Sequence, residues 1–152
     1  MFKCFMKFAL AEAMKARDLD EVPVGCVIVR NGRIIASTHN LMRINNNRTD
    51  HAEMIAIREA SKVIGNGFLD ECDLYVTLEP CAMCAAAISI ARIKRLYCGA
   101  LDKKSGGVYH NSKLFYGNKG LSWIPEHYNG FLADESEFLL KDFFKKKRCD
   151  GA

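Results

Sequence analysis

Apolar positions along the chain recur in two periods, and the switches between them predict the elements. Phe2, Phe5, Met6, Ala9 and Ala13 fall at helical spacing and predict an amphipathic first helix. Residues 24–30 and 33–38 are β-rich and flank Asn31-Gly32, a dipeptide that accepts positive φ at both turn positions, so they predict a hairpin. The polar stretch 40–50, with three consecutive asparagines, predicts a surface loop. From His51, the residues Met54, Ile55, Ile57, Ala60 and Val63 predict a helix that stops at Gly65. Residues 73–78 read as a buried strand. Pro80 suits the first turn of a second helix running through Ile88 and Ile90, and residues 94–98 read as another strand. A helix joining two such strands implies a parallel β-α-β unit.

Residues 101–130 mix Gly, Lys and Asn with isolated aromatics, and their pattern orders no elements. Asp134 is placed to cap a last helix whose apolar face holds Phe138, Leu139, Phe143 and Phe144. No repeat, linker or low-complexity segment divides the chain. The pattern predicts a single domain over residues 1–152, of the α/β class, with three α/β/α layers around a central mixed sheet. A domain of 152 residues buries roughly 70% of the surface its unfolded chain exposes, enough for one core.

Composition narrows the function classes. No apolar run approaches the roughly 18 residues of a membrane span, so no membrane association is expected. Lys3, Lys7, Glu12 and Lys15 break up the N-terminal apolar stretch and argue against a secretion signal. Seven cysteines is an odd number, and Cys4, Cys26, Cys72, Cys98 and Cys149 share no regular spacing. That predicts a reducing, cytoplasmic setting and a structural, unreactive role for these five. The net charge of +4 owes much to Lys145, Lys146, Lys147 and Arg148, a run that most often forms a solvated face and also suits phosphate contact.

The chemistry concentrates in two places. His51-Ala52-Glu53 opens one predicted helix, and Pro80-Cys81-Ala82-Met83-Cys84 opens another. A Cys-x-x-Cys at a helix start sets two sulfurs on one side of the first turn, and the free N–H groups there favour thiolates. One imidazole and two thiolates suit tetrahedral zinc and leave one position open for water, as in catalytic rather than structural sites. His39, His110 and His127 are the remaining histidines that the fold would have to bring in for a fourth protein ligand. Glu53 leaves its helix in a different direction from His51, so it lines the same cavity as a proton carrier rather than a ligand. A redox Cys-x-x-Cys would leave His51 and Glu53 unexplained.

The pattern His-x-Glu followed by Pro-Cys-x-x-Cys is that of zinc nucleobase deaminases. Over nearly its whole length the sequence resembles the bacterial tRNA-specific adenosine deaminases of the cytidine and deoxycytidylate deaminase superfamily. The resemblance rests on Glu21-Val22-Pro23-Val24-Gly25, Asn40, His51-Ala52-Glu53, the run 74–84, the run 99–106 and Phe143-Phe144 before the basic end. It implies a cytidine-deaminase-like fold and conversion of a wobble adenosine to inosine in a tRNA anticodon loop. It further implies one zinc per subunit on His51, Cys81 and Cys84, with Glu53 moving protons and no nucleotide cofactor. By position, Asn40 would bond the flipped base and Asp102 the sugar. Phe143 and Phe144 would help hold the anticodon loop, and the subunits would pair as a homodimer.

The chain departs from that family pattern in two places. Asn47-Arg48-Thr49-Asp50 stands where Asp-Pro-Thr-Ala is usual, which removes a rigid turn and sets a carboxylate beside the zinc ligand, and Ala86 replaces a glycine. The competing function is a free nucleobase or nucleoside deaminase of the guanine or cytosine class, with the same metal site. A riboflavin-pathway deaminase places its second cysteine further along, and a non-catalytic zinc scaffold tends to lose the glutamate that is present here as Glu53.

Overall fold

A computed structural model describes residues 4–111, 113–116 and 120–151; Phe2, expected in the first helix, lies outside the described residues. In chain order the elements are α1 (Met6–Asp18), β1 (Gly25–Arg30), β2 (Arg33–His39), α2 (Ala52–Ile64), β3 (Cys72–Leu78), α3 (Ala82–Ile90), β4 (Arg95–Ala100), β5 (Glu126–Tyr128) and α4 (Ala133–Asp150). The strands form one mixed sheet in the order β2-β1-β3-β4-β5. The β1–β2 hairpin turns at Asn31 and Gly32, whose φ values of 51° and 74° are those the dipeptide favours. Ile35 is an extra residue in β2, bulged between the Ile28–Ala36 and Val29–Ile34 pairs. β3 runs antiparallel to β1 and parallel to β4, with α3 as the crossover, so the expected β-α-β unit is present. β5 adds a second parallel pairing at the far edge.

Alternation along β1 distributes its side chains between two layers. Val27 and Val29 meet Met6 and Ala9 of α1, while Cys26 and Ile28 join Ala52, Ala56 and Ala60 of α2 and Ile88 of α3. α4 packs against β3, β4 and α1, completing the third layer. Gly25 lets α1 lie directly on the sheet: a Cβ there would overlap the Ala9 carbonyl and lie 2.5 Å from the Ala13 nitrogen. Among the described residues no helix is long and apolar enough to cross a membrane.

Several local expectations change. α2 buries an alanine stripe, Ala52-Ala56-Ala60, and Val63 is 63% exposed. The small side chains let the helix axis approach the sheet, and Ile57 and Ile64 pack only along the margin of that contact. Pro80 lies before α3 rather than in its first turn, because Cys81 takes the extended N-cap position. Asp134 does not cap α4; it sits within the first turn, after Leu132 in a left-handed conformation (φ 52°). Of the expected apolar face of α4, Leu139 and Phe143 are buried, whereas Phe138 is 68% and Phe144 44% exposed. The 40–50 loop lies on the surface only over residues 43–49, since Asn40 and Asp50 at its two ends are buried.

Glu12 ties α1 to the edge strand. Its buried carboxylate pairs with His39 Nδ1 at 2.6 Å and accepts from Lys15 Nζ at 2.9 Å and Ser37 Oγ at 3.0 Å. Burial pushes the Glu12 carboxyl up, but His39, Lys15 and Ser37 together hold it below its ordinary value. A depressed carboxyl adds stability above its unfolded pKa of about 4.3, and that stability is lost as pH falls through the folded value. Glu12→Gln should therefore cost about 1–2 kcal/mol in urea unfolding near neutral pH. The gap from the parent should close in acid; an equal gap at every pH would show that the charge of Glu12 contributes nothing.

Candidate active site

Two helix starts face each other at the carboxyl end of β3. His51 is the N-cap of α2 and Cys81 the N-cap of α3, both with extended backbones (φ −69°, ψ 153° and φ −69°, ψ 174°). An N-cap side chain ordinarily bonds the free amides of the first turn. Neither does so here, and both turn toward one another instead. His51 Nδ1 lies 3.6 Å from Cys81 Sγ and 3.5 Å from Cys84 Sγ. A tetrahedral ion with Zn–S near 2.3 Å and Zn–N near 2.0–2.1 Å sets nitrogen and sulfur roughly 3.6 Å apart, so the donors already stand at zinc spacing.

Among the described residues this is the one His/Cys/Asp/Glu group with ligand atoms all within 4.8 Å. His39, His110 and His127 do not join it; they pair with Glu12, Glu79 and Tyr109. Hydrogen bonding from Cys84, and then from His51, lowers the Cys81 thiol to about 4, and the same sulfur–sulfur contact raises Cys84. Contact with Cys81 raises the His51 imidazole, which also meets the Arg48 backbone, an anchor that orients a metal-binding ring.

A cavity of about 150 Å³ opens beside the sulfurs, lined by His51, Glu53, Cys81, Asn40, Val24 and Asp102 among others. Glu53, one residue inside α2, is buried there, and burial raises its carboxyl above the ordinary value. Asn40 stands at the cavity wall, its Nδ2 donating to the Val22 carbonyl at 3.4 Å and its Oδ1 accepting from Met42 N–H at 3.3 Å. Asp102 lines the rim, with Oδ1 already accepting from Lys104 and Ser105 N–H, both at 3.0 Å. Phe143 and Phe144 lie elsewhere. Phe143 packs beneath α4, and Phe144 stands edge-on to it in an adjoining groove of about 800 Å³ that shares Val22, Leu78, Asp102 and Ser105 with the cavity.

The sequence reading missed the carboxylates that hold these walls. Glu79, fully buried, accepts from Asp102 N–H at 3.1 Å, Val108 at 3.2 Å, Tyr109 at 2.9 Å and His110 at 3.2 Å, and from His110 Nδ1 at 2.7 Å. Burial raises the Glu79 carboxyl, but these donors outweigh it and hold the group below its usual range. Glu21 is likewise fully buried, its Oε1 accepting Ile44 N–H at 2.7 Å. The signal for both lies in a charged residue placed inside or beside an apolar run. Asp50, the carboxylate next to the zinc ligand in sequence, accepts from Arg58 and Asn45, both at 2.8 Å, closing the loop onto α2.

Cys81→Ser and Cys84→Ser should each lower zinc content, because a hydroxyl is a harder and weaker ligand than a thiolate. Cys149→Ser, at an exposed position on α4, should retain it. Metal analysis finding full zinc in both of the first two variants would remove this ligand set.

Known proteins match this arrangement. Residues 2–100 fit the family profile described as the cytidine and deoxycytidylate deaminase zinc-binding region. The chain is 48% identical over 146 residues to the tRNA-specific adenosine deaminase of Agrobacterium fabrum, covering 96% of this chain and 95% of that protein. It is 50% identical over 145 residues to the enzyme of the same name from Rickettsia typhi, covering 94% and 97%. A solved structure from a study of A-to-I editing by tRNA:A34 deaminases superposes with a TM-score of 0.87 at 48% identity, covering 90% of this chain and 98% of that one. With donors at zinc spacing and this likeness along nearly its full length, the chain belongs to the zinc-binding cytidine and deoxycytidylate deaminases and, among them, to the family of tRNA-specific adenosine deaminases.

Proposed function

We propose that the whole chain acts as one deaminase domain that hydrolyses the wobble adenosine of a tRNA anticodon loop to inosine. The observation that carries this reading is the continuity of the donor-lined cavity with the groove along α4. A single base fills a space of about 150 Å³, and a free-base enzyme needs no more. The adjoining groove of about 800 Å³ presents Lys104, Lys141, Lys147, Arg148 and the Phe144 ring, the charges and stacking surface that a nucleic-acid chain requires.

Zinc held by His51, Cys81 and Cys84 supplies the Lewis acidity that makes water a nucleophile near neutral pH. The chain's own residues do the rest. Glu53 takes a proton as water oxygen bonds to C6 of adenine, and delivers it to the ring nitrogen N1. Glu53 then carries the remaining hydroxyl proton to the amine, the C6–N bond breaks, ammonia leaves, and the carbonyl of inosine remains. Asn40 orients the base through its amide, Asp102 meets the sugar at the rim, and Phe144, backed by Phe143, supports the loop. Flipping the base costs less in an RNA loop than in a duplex, because no base pair has to be broken.

Two further parts of the reading concern the setting. The described cysteines are all free, as a cytoplasmic protein requires. α3 leaves Ala82 and Ile90 exposed and Met83, Ala86 and Ala87 half-buried, an apolar strip on the helix that carries both cysteines. A homodimer closing over this strip sets each site near the subunit boundary.

Incubating the zinc-loaded protein with an adenosine-containing anticodon stem-loop, and in parallel with adenosine, cytidine and guanine, tests the substrate. Inosine should form in the RNA; ammonia from guanine or cytidine alone would replace this reading with the free-base one. Glu53→Ala should keep its zinc and lose turnover by about 10²–10⁴-fold, and near-parental activity would remove Glu53 from proton transfer. Ile90, 75% exposed, should mark the dimer contact: Ile90→Glu should shift sedimentation from a two-chain to a one-chain species. A parent protein that already sediments as an active single chain contradicts the dimer.

A further inference from the structure

Three separate elements meet at one exposed carboxylate. Asp20 follows α1 with a left-handed backbone (φ 61°). Its Oδ2 lies 2.6 Å from Arg43 NH1 and 2.5 Å from Lys147 Nζ, and the same Arg43 nitrogen donates to the Asp20 carbonyl at 3.0 Å. Arg43 belongs to the loop that carries Asn40 and Met42 to the cavity, and Lys147 to the α4 wall of the groove. Val22, two residues after Asp20, lines both spaces. The junction therefore has Lys147 on the groove wall, with Arg43 and Asp20 one and two residues in sequence from the cavity-lining Met42 and Val22.

The charges there do not balance. Two cations share one carboxylate oxygen, leaving a net positive charge, and all three side chains are more than a third exposed. Lys147 first, and then Arg43, hold the Asp20 carboxyl below its ordinary value. Exposed ion pairs of this kind are individually weak and open readily. A non-bridging phosphate oxygen presents the charge and acceptor geometry of a carboxylate oxygen, so it suits the same N–H donors.

We propose that Arg43 and Lys147 form a phosphate site for the nucleotide flanking the reacting base, and that Asp20 is the built-in anion that RNA displaces from it. The inference rests on the RNA reading above and extends it, since neither Asp20 nor Arg43 is part of the chemistry. The internal anion sets a threshold. A free base carries no charge to displace the carboxylate, and a backbone phosphate does. An alternative role for Asp20, a strut that keeps the loop and α4 in place, predicts the opposite effect of its removal.

Asp20→Asn keeps the side-chain shape and tolerates the left-handed backbone, so it removes the charge alone. Equilibrium binding of a fluorescently labelled anticodon stem-loop, with adenosine at the wobble position, is measured on the zinc-loaded protein across a salt series. Asp20→Asn should tighten binding about 3- to 10-fold at low salt and steepen the salt slope by roughly 0.7, one released counterion on single-stranded RNA. The same substitution in an Arg43→Gln, Lys147→Gln background should change neither quantity. Weaker or unchanged binding by Asp20→Asn overturns the proposal, and so does equal tightening in the double-variant background, which would be a general charge effect. Inosine formation by the parent is the separate readout. Inosine without the Asp20→Asn gain sinks the phosphate site alone, whereas no inosine and no RNA binding sinks the site and the substrate reading together.

Discussion

The active-site walls depend on the burial of one carboxylate. The segment after β4 has little regular structure beyond one bridge between Gly106 and Cys81, so most of its amides find no ladder to join, and buried amides must have acceptors. Glu79 provides them, accepting four backbone N–H groups and one imidazole nitrogen from residues 102–110. Only Pro80 separates it from Cys81, so the anchor of that segment and a metal donor move as one piece. Gly106 and Gly107 seal the joint: a Cβ on the first would strike the Glu79 carboxylate, and on the second would lie 2.6 Å from the Ala82 nitrogen. The end of β3, the start of α3 and the following loop are thereby one body, and removing the charge of Glu79 would loosen all three.

Much of this was legible in the sequence because its signals are local. Asn31-Gly32 defines a hairpin within four residues, and a helix between two β-rich runs leaves parallel pairing as the economical topology. The clustering of His51, Cys81 and Cys84, with Glu53 beside them, was readable for the same reason: each motif lies within one turn of a helix start. What was not legible depends on distant partners. Whether α2 would bury its alanines or its larger residues is settled by how close the sheet lets it come. β5 is three residues long and exists through its pairing with β4. Asp20, Glu21, Asp50 and Glu79 hold the loops through donors that no spacing rule identifies, Asp50 through Arg58 on α2.

The cavity and the groove differ in how they are built. The cavity walls are helix starts and backbone-anchored loops, with Asn40, Glu53 and Glu79 all buried. The groove is walled by side chains of α4, many of them exposed and held by ion pairs within the helix, such as Lys141 with Glu137 at 2.7 Å. Packing makes the first rigid, while the second adjusts through long, solvated side chains. Substitutions on α4 can therefore reshape the groove without disturbing the geometry at the donors.

The extended N-cap residues have a consequence for assembly. His51 and Cys81 hold the N-cap positions of α2 and α3 yet make no side-chain bond to the first-turn amides, so these two helix starts forgo the roughly 1 kcal/mol that a serine or aspartate gives at an ordinary one. That loss falls on two helix ends 30 residues apart in sequence but joined in space through the His51 and Cys81 side chains. The two positions thus trade local helix stability for a shared donor set, and a serine at either would move the balance back toward a firmer helix end and a poorer metal site.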